Sequence, residues 1–546
     1  MVRAALARLL GVTLVLASLT IPLTASAKPL PTQTARDSTI QVVLPGPLTN
    51  CPAFDARTSA SSLALFDLIR PSAFLTNPND FLVGAQGPIS SAELISLTPQ
   101  TVQYTLARGA KWTDGQPFVG SDLVAWWQML RGYSGVASHG YRAIRSMAVE
   151  GGNKVTAVFS RPYSDWTTLF RDVEQRGASL SCSWSSLLSR PSLGPYRLVS
   201  ANERRWILAR DEGWQPNGRR FGRVVVTVSS RVDLTGESPA VAFAQRVDPL
   251  QVSLLASHPM MLGKIGPSNV LEELVFNSKR PVARSSAVRL ALGWSIDRLG
   301  LISRMWSLTT QSVATATSAL YSQGQPDYPG GGLTIPSMAT TTTVSGPTVP
   351  SAGQDCIPCA VQVLQSAGGQ LVGGRWNMPS VGPLIIQLGV GPTGVDRVSA
   401  RAIAQSWRRL GVSVSLAYYA TGNAAAVAAA SGEVDAAVFE RQMRATVPFA
   451  ALSWAGPNYR DGYPSGYRTA QWNGMFNRAM SNLNPATAQA DWAQLDASLL
   501  ASGFVRPLFT LPSLTEWSND VATVTTGDSI EAFVDQLPNW SLVSSQ

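Results

Sequence analysis

The 546-residue sequence predicts a mixed α/β protein of two or three domains, and three observations carry that prediction. Residues 384–419 read as strand, helix and strand in succession, which implies a partly parallel sheet. Residues 104–127 read as strand, tight turn and helix without a gap. A chain of this length also exceeds what a single hydrophobic core organises. With 45% hydrophobic and 14% charged residues it is globular rather than disordered.

At the start of the chain, Arg3 and Arg8 precede an apolar run from Leu9 to Leu23, and Ala25-Ser26-Ala27 supplies the small residues of a cleavage site. Residues 1–27 are therefore expected to be a signal peptide. A membrane span would need about 20 apolar residues, and this run is shorter and contains Pro22. The remainder is expected to be exported and soluble. The first cysteine, Cys51, stands well beyond Ala27, so no lipid anchor is predicted.

Tyr104 to Leu106 alternate as a half-buried strand, Asp114-Gly115 is a favoured two-residue turn, and Ser121 is expected to cap the helix that follows. In that helix Leu123, Val124, Trp126, Trp127 and Leu130 recur at helical spacing and form a core-seeking face. Further on stand Val155-Thr-Ala-Val-Phe-Ser-Arg-Pro-Tyr163, Gly194-Pro-Tyr-Arg-Leu198 and Trp206-Ile-Leu-Ala-Arg-Asp-Glu-Gly-Trp214. Leu274-Val-Phe-Asn277 and Ala287-Val-Arg-Leu-Ala-Leu-Gly-Trp-Ser-Ile-Asp-Arg298 complete the series.

In this order the blocks resemble the landmarks of the family 5 extracellular solute-binding proteins, the peptide- and nickel-binding receptors of ABC importers. The resemblance implies a two-lobed periplasmic-binding-protein fold (type II, cluster C) with an extra subdomain in the first lobe. It divides the chain into 28–52 with 187–275 and 505–546 as lobe I, 53–186 as the inserted subdomain, and 276–504 as lobe II. The chain would cross between lobes near Phe276 and Val505.

Lobe II reads independently. Leu384–Leu388 is an apolar strand, Val395–Leu410 a helix with Trp407 and Leu410 facing inward, and Val412–Tyr419 an alternating strand. Ser322–Gln354, rich in Gly, Pro, Ser and Thr, reads as a long surface loop. Gly389-Val-Gly-Pro-Thr-Gly394 satisfies a dinucleotide fingerprint in the expected context. The acidic residue that should hold a ribose about 20 residues on is absent, and a plain turn is the preferred reading.

His139 and His258 are the only histidines, which excludes a histidine-rich metal site; there is neither a nucleophile elbow nor a phosphate loop. The protein is expected not to be an enzyme and to carry no cofactor or metal. Four cysteines in an oxidising compartment allow three pairings. Cys356 and Cys359 are close enough to pair locally, leaving Cys51 for Cys182. Asp355 is expected to cap a helix there, a setting that also admits a redox role.

The formal charge of +9 gives only a weak preference for anionic partners, and the bases are too scattered for nucleic acid. Only five of the 43 basic residues are lysine, a bias typical of a GC-rich, actinobacterial genome. The resemblance implies capture of an oligopeptide or similar small solute between hinged lobes and delivery to an ABC permease by a monomer. Positional candidates for ligand contact are Phe276, Asn277, Tyr418, Tyr419 and Trp454. Peptide-binding members carry an Ala-Asp-Tyr-x-x-Pro segment whose aspartate pairs with the peptide ammonium. Here Phe439-Glu-Arg-Gln-Met-Arg-Ala-Thr-Val-Pro448 lacks it, and Glu440 stands with Arg441 and Arg444, which favour carboxylate or phosphate. The alternative is a receptor fold without transport that regulates or senses cell-envelope lipoglycan synthesis; Asn50–Asp55 and Phe66–Phe74 resemble that actinobacterial branch.

Overall fold

The computed structural model describes residues 38–543 apart from 134–137, 215–220, 230–238, 248–260, 307–312, 330–354, 444–445, 456–468 and positions 56, 152, 278, 326 and 380. The expected signal peptide, Arg444, His258 and most of the Ser322–Gln354 loop lie outside the described residues.

Ten strands form one mixed sheet. Across it the order is Ser413–Tyr418, Ile385–Val390, Ala436–Gln442, Met261–Phe276, Val505–Ser518, Ala240–Ala244, Thr39–Leu44, Arg223–Val228, Arg205–Arg210 and Tyr196–Ala201. At its centre Met261–Phe276 and Val505–Ser518 run antiparallel, from Met261 opposite Ser518 to Val275 opposite Val505. Each changes its outer partner midway. Residues 514–517 pair with 241–244, whereas residues 270–276 pair with 436–442. Where the partners change, Pro267 stands opposite Pro512 and the register shifts before Leu271. Neither proline has an N–H to donate, so the ladder is broken there. Two half-sheets thus hang on one ribbon interrupted at its middle.

A separate antiparallel sheet, ordered Ile89–Leu97, Gln100–Leu106, Lys154–Phe159 and Ile144–Glu150, packs against the helix Gly120–Gly132. Leu123, Trp126, Trp127 and Leu130 are its buried face, as the spacing predicts. The cap is not Ser121. Val119 holds the N-cap position, and the Asp122 carboxylate accepts its backbone N–H at 3.0 Å. Gly120 lets the helix approach this sheet, because a Cβ there would press into Val149 and Val155.

The strand-helix-strand reading of lobe II is realised as Ile385–Val390, Gly394–Leu410 and Ser413–Tyr418, with Ile385 opposite Ser413 in a parallel pair. Gly411 ends the helix at φ 95°, which glycine adopts without strain. Trp407 is buried and its indole donates to Leu292 O at 2.9 Å. At the other end, Thr393 and Asp396 form a capping box, and the Asp396 carboxylate fills the space against Gly391. The glycine pattern therefore closes on the helix's own acid.

Both cysteine pairs are disulfides, Cys51–Cys182 and Cys356–Cys359. Asp355 does not cap the following helix; Cys356 does, its sulfur accepting Cys359 N–H at 3.1 Å. Asp355 instead binds two arginines, Arg298 at 2.8 Å and Arg506 at 2.6 Å. The start of the expected surface loop is also buried. Ser322 Oγ donates to Asp80 Oδ2 at 3.1 Å and Gln325 Nε2 to Asp80 O at 3.2 Å, so these polar side chains serve internal bonds.

Candidate functional site

Alternation along Ala436–Gln442 decides what each neighbouring side chain can reach. Ala436 and Val438 join the apolar core around Trp407, and Glu440 shares their face; Ala437 and Phe439 join the core under the four-stranded sheet, and Arg441 shares theirs. Glu440 and Arg441, adjacent in sequence, therefore point to opposite faces.

On the second face Arg441 is buried. Its guanidinium grips Glu273 through two bonds of 2.7 and 2.8 Å, donates to Ala319 O at 2.8 Å, and lies 5.7 Å from the Trp454 ring centroid. Its charge is thus matched by a buried carboxylate. Ala319 belongs to a strap, residues 315–325, that runs from a bridge with Phe509 past Asp496 to Asp80. Asp496 anchors the strap by accepting Ala319 and Leu320 N–H at 3.0 and 3.1 Å, and burial pushes its carboxyl up to about 6.

The strap and the helices Val447–Ala455 and Ala470–Ser481 close against the four-stranded sheet. Ser164 N–H donates to Met480 O at 2.8 Å, and one apolar cluster includes Tyr104, Tyr163 and Phe170 together with Trp454, Trp472 and Phe476. Asp165 is buried beside this join. Burial pushes it up to about 7 against the opposing pull of Thr446 and Thr168. Asp80 and Asp528 are likewise raised to about 7 by burial. His139 packs near Tyr163, at 5.6 Å, and burial lowers its imidazole to about 4, leaving it neutral.

Phe276 stacks on Trp407 with centroids 6.1 Å apart, inside the core. Asn277 is also fully buried: its Oδ1 accepts Lys279 N–H at 2.8 Å and its Nδ2 donates to Val434 O at 3.5 Å. Both serve packing and turn geometry. Tyr418 is 55% exposed, and the Tyr419 hydroxyl donates to Glu433 at 2.8 Å. These tyrosines stand at the carboxyl ends of the parallel strands, where the helices Gly394–Leu410 and Gly422–Ser431 begin. In open α/β sheets that edge is where ligands bind.

Sequence reasoning missed a polar node at the ribbon's midpoint. Asn269 takes Met443 N–H on its carbonyl at 2.6 Å, donates from Nδ2 to Met443 O at 3.3 Å, and accepts Gln245 Nε2 on Oδ1 at 2.9 Å. It joins groups from both half-sheets. It also missed Glu272, although two acids in the apolar run Val270–Phe276 were a visible signal. Two clusters of potential metal-binding side chains occur among the described residues: Cys51, Asp55 and Cys182, whose sulfurs are bonded to each other, and Glu272, Asp396 and Glu440. No described helix is long and apolar enough to cross a membrane.

Residues 90–475 match the family model described as bacterial extracellular solute-binding proteins, family 5 middle. A curated relative, a probable monoacyl phosphatidylinositol tetramannoside-binding protein LpqW of Mycobacterium tuberculosis, is 32% identical over 124 residues, covering 21% of this chain and 19% of that protein. The oligopeptide-binding protein OppA of Mycobacterium bovis is 26% identical over 174 residues, 29% of each chain. The chain therefore aligns with under a third of either relative's length. Among solved structures, the periplasmic EDTA-binding protein EppA superposes with a TM-score of 0.79 at 21% identity, covering 93% of this chain and 97% of that one. At that identity the likeness shows the fold: a two-lobed type II periplasmic binding protein. Family 5 members are extracytoplasmic binding receptors, not enzymes. With its model matched across more than half of the sequence, the chain belongs to the family 5 bacterial extracellular solute-binding proteins.

Proposed function

We propose that this protein captures an oligopeptide or similar small solute between two lobes and delivers it, as a monomer, to an ABC permease. The observation that carries the reading is the central ribbon. Two half-sheets share only Met261–Phe276 and Val505–Ser518, and the ladder between these strands is broken at Pro267 and Pro512. A bend there costs little hydrogen bonding, which is what lobe closure requires. The lobes follow the division 28–52 with 187–267 and 512–546, 53–186, and 268–511, the crossings falling at the proline pair rather than near Phe276 and Val505. Residues 1–27 act as the export signal.

Tyr418, Tyr419 and the undescribed Arg444 are the proposed ligand contacts, the tyrosines by stacking and the arginine by pairing with a carboxylate or phosphate. Arg441 acts indirectly, positioning Trp454 and the strap. A second reading, regulation or sensing of lipoglycan synthesis without transport, is favoured by the similarity to the tetramannoside-binding protein. Mass spectrometry of small molecules released by denaturing natively exported protein tests both. A stoichiometric peptide or small solute supports import. A mannosylated lipid headgroup supports the second reading, and an empty protein with no thermal shift from peptide or sugar libraries defeats solute capture.

A further inference from the structure

We infer that the arginine-lined face of the helix Gly394–Leu410, with the hairpin tip beside its C-terminal end, docks the protein on a bilayer surface rich in anionic phospholipid headgroups. The inference does not depend on which solute the protein carries.

The helix turns Ala400, Ile403 and Trp407 into the core. Its exposed side chains are Arg397, Arg401, Gln405, Arg408 and Arg409. Three of these arginines, Arg397, Arg401 and Arg408, fall within about 40° of one another around the axis and span ~16 Å along it. The helix's one acid, Asp396, is buried in the capping box. A base from another segment extends the stripe: Arg304, on the helix Arg298–Trp306, donates to Gln405 Oε1 at 3.4 Å. Arg408 donates to Val414 O at 3.0 Å, and none of these arginines has an ion pair with a described residue.

A helix face that serves only to meet water interleaves acids with its bases. Here Arg397 and Arg401 repel each other at the i, i+4 spacing. Arg408 and Arg409, in the last turn, suit the helix dipole, whereas Arg397, near the first turn, opposes it. The dipole therefore accounts for one end of the stripe and not for the other. An external anionic surface relieves the repulsion along its whole length.

The strands Gln370–Val372 and Arg375–Met378 form a hairpin that turns through Gly373 and Gly374, at φ 57° and 76°. It is pinned to the end of the helix. Trp376 Nε1 donates to Leu410 O at 2.7 Å, and Trp376 N–H to Gly411 O at 3.1 Å. At its tip Leu371 and Val372 are 58% and 61% exposed, and Arg375, opposite Val372, is exposed as well.

Cations beside bare aliphatic side chains match a bilayer surface, where guanidinium groups bind phosphates and aliphatic groups enter between headgroups. An acidic protein partner accounts for the arginines alone. Because its apolar face is committed to the core, the helix docks without inserting. The hairpin leads into the amino end of Ile385–Val390, whereas Tyr418 stands at the carboxyl ends of the parallel pair. Docking thus leaves the proposed ligand edge open.

The test sediments the full mature chain with phosphatidylcholine vesicles, with and without about 30% phosphatidylglycerol, at low salt and at about 0.5 M salt. Expected is binding that needs the anionic lipid and falls at least about tenfold in high salt. Each arginine near such a surface contributes roughly fivefold, so Arg397→Gln/Arg401→Gln should bind about 25-fold more weakly with no loss of Tm. The charge-preserving Arg397→Lys/Arg401→Lys should retain most of the binding. Val372→Ser should weaken it several-fold while leaving the salt dependence intact. Equal binding to both vesicles, or parent-like binding by Arg397→Gln/Arg401→Gln, would overturn the proposal. Release by inorganic phosphate but not by chloride of equal ionic strength would also overturn it, in favour of a free-phosphate site. So would binding to polyglutamate in place of vesicles, which would assign the face to an acidic protein.

Discussion

Arg441→Ala removes the partner of a fully buried carboxylate. Glu273 loses bonds of 2.7 and 2.8 Å, Ala319 O loses a donor at 2.8 Å, and Trp454 loses a cation 5.7 Å from its ring centroid. Breaking a buried ion pair from one side costs about 3–5 kcal/mol, because the remaining charge is left desolvated. The orphaned carbonyl adds about 1 kcal/mol and the lost cation–π contact about 1 kcal/mol, and part of each overlaps the first loss. The expected destabilisation is about 4–6 kcal/mol, read from urea unfolding followed by tryptophan fluorescence and checked by circular dichroism. The double variant Glu273→Leu/Arg441→Met replaces both charges with apolar groups and should recover most of the loss. A single variant within about 1 kcal/mol of the parent would refute the claim that Arg441 is committed to Glu273, as would a double variant no more stable than the single. Either result would return Arg441 to the ligand.

The buried acids set a pH dependence. Asp80, Asp165 and Asp528 are raised to about 7 and Asp496 to about 6, above their unfolded values. Each binds its proton more tightly when folded, so its contribution is complete below about pH 4 and is lost as pH rises through 6 to 7. Tm should therefore be higher at pH 5 than at pH 8, and Asp165→Asn should flatten part of that slope; a Tm that rises steadily from pH 5 to 8 contradicts the burial argument. The disulfides should differ in worth. Cys51–Cys182 closes a separation of 131 residues and chain entropy assigns it about 5 kcal/mol, whereas Cys356–Cys359, three residues apart, is worth about 1.5 kcal/mol. Comparing Cys51→Ser/Cys182→Ser with Cys356→Ser/Cys359→Ser in urea checks the order. Tyr418→Ala should leave stability within about 0.5 kcal/mol, since the side chain is largely in water, yet weaken solute binding in calorimetry. Unchanged affinity would remove Tyr418 from the binding surface.

Much of the local structure was legible because single segments decide it. Leu384–Tyr419 carries its own apolar strand, amphipathic helix and glycine stop, and the 123–130 spacing named the buried face of its helix. The ribbon was not legible in the same way. Which strand lies beside Met261–Phe276 halfway along its length is settled by residues more than 150 positions away. The separation of Glu440 from Arg441 was within reach, since a strand continued past Val438 sends them to opposite faces. Reading them as one charged patch ignored that period. Phe276 and Asn277 looked exposed to a ligand only because Trp407 and Val434, which occupy them, are distant in sequence. The start of the Ser322–Gln354 segment was misread because composition does not distinguish polar groups bonded to water from those bonded to Asp80.

The position of Val505–Ser518 in the sheet has a consequence for biogenesis. A strand from near the C-terminus occupies the centre, between Met261–Phe276 and Ala240–Ala244. Because a chain emerges from synthesis N-terminus first, both half-sheets wait with an unpaired inner edge until almost the whole sequence has appeared. Such edges invite pairing with other chains. Thr39–Leu44, among the first strands to appear, likewise waits for Arg223–Val228 and Ala240–Ala244. The fold is thus assembled late and from the middle, and a chain stopped short of residue 505 would present two open templates for aggregation in place of a smaller receptor.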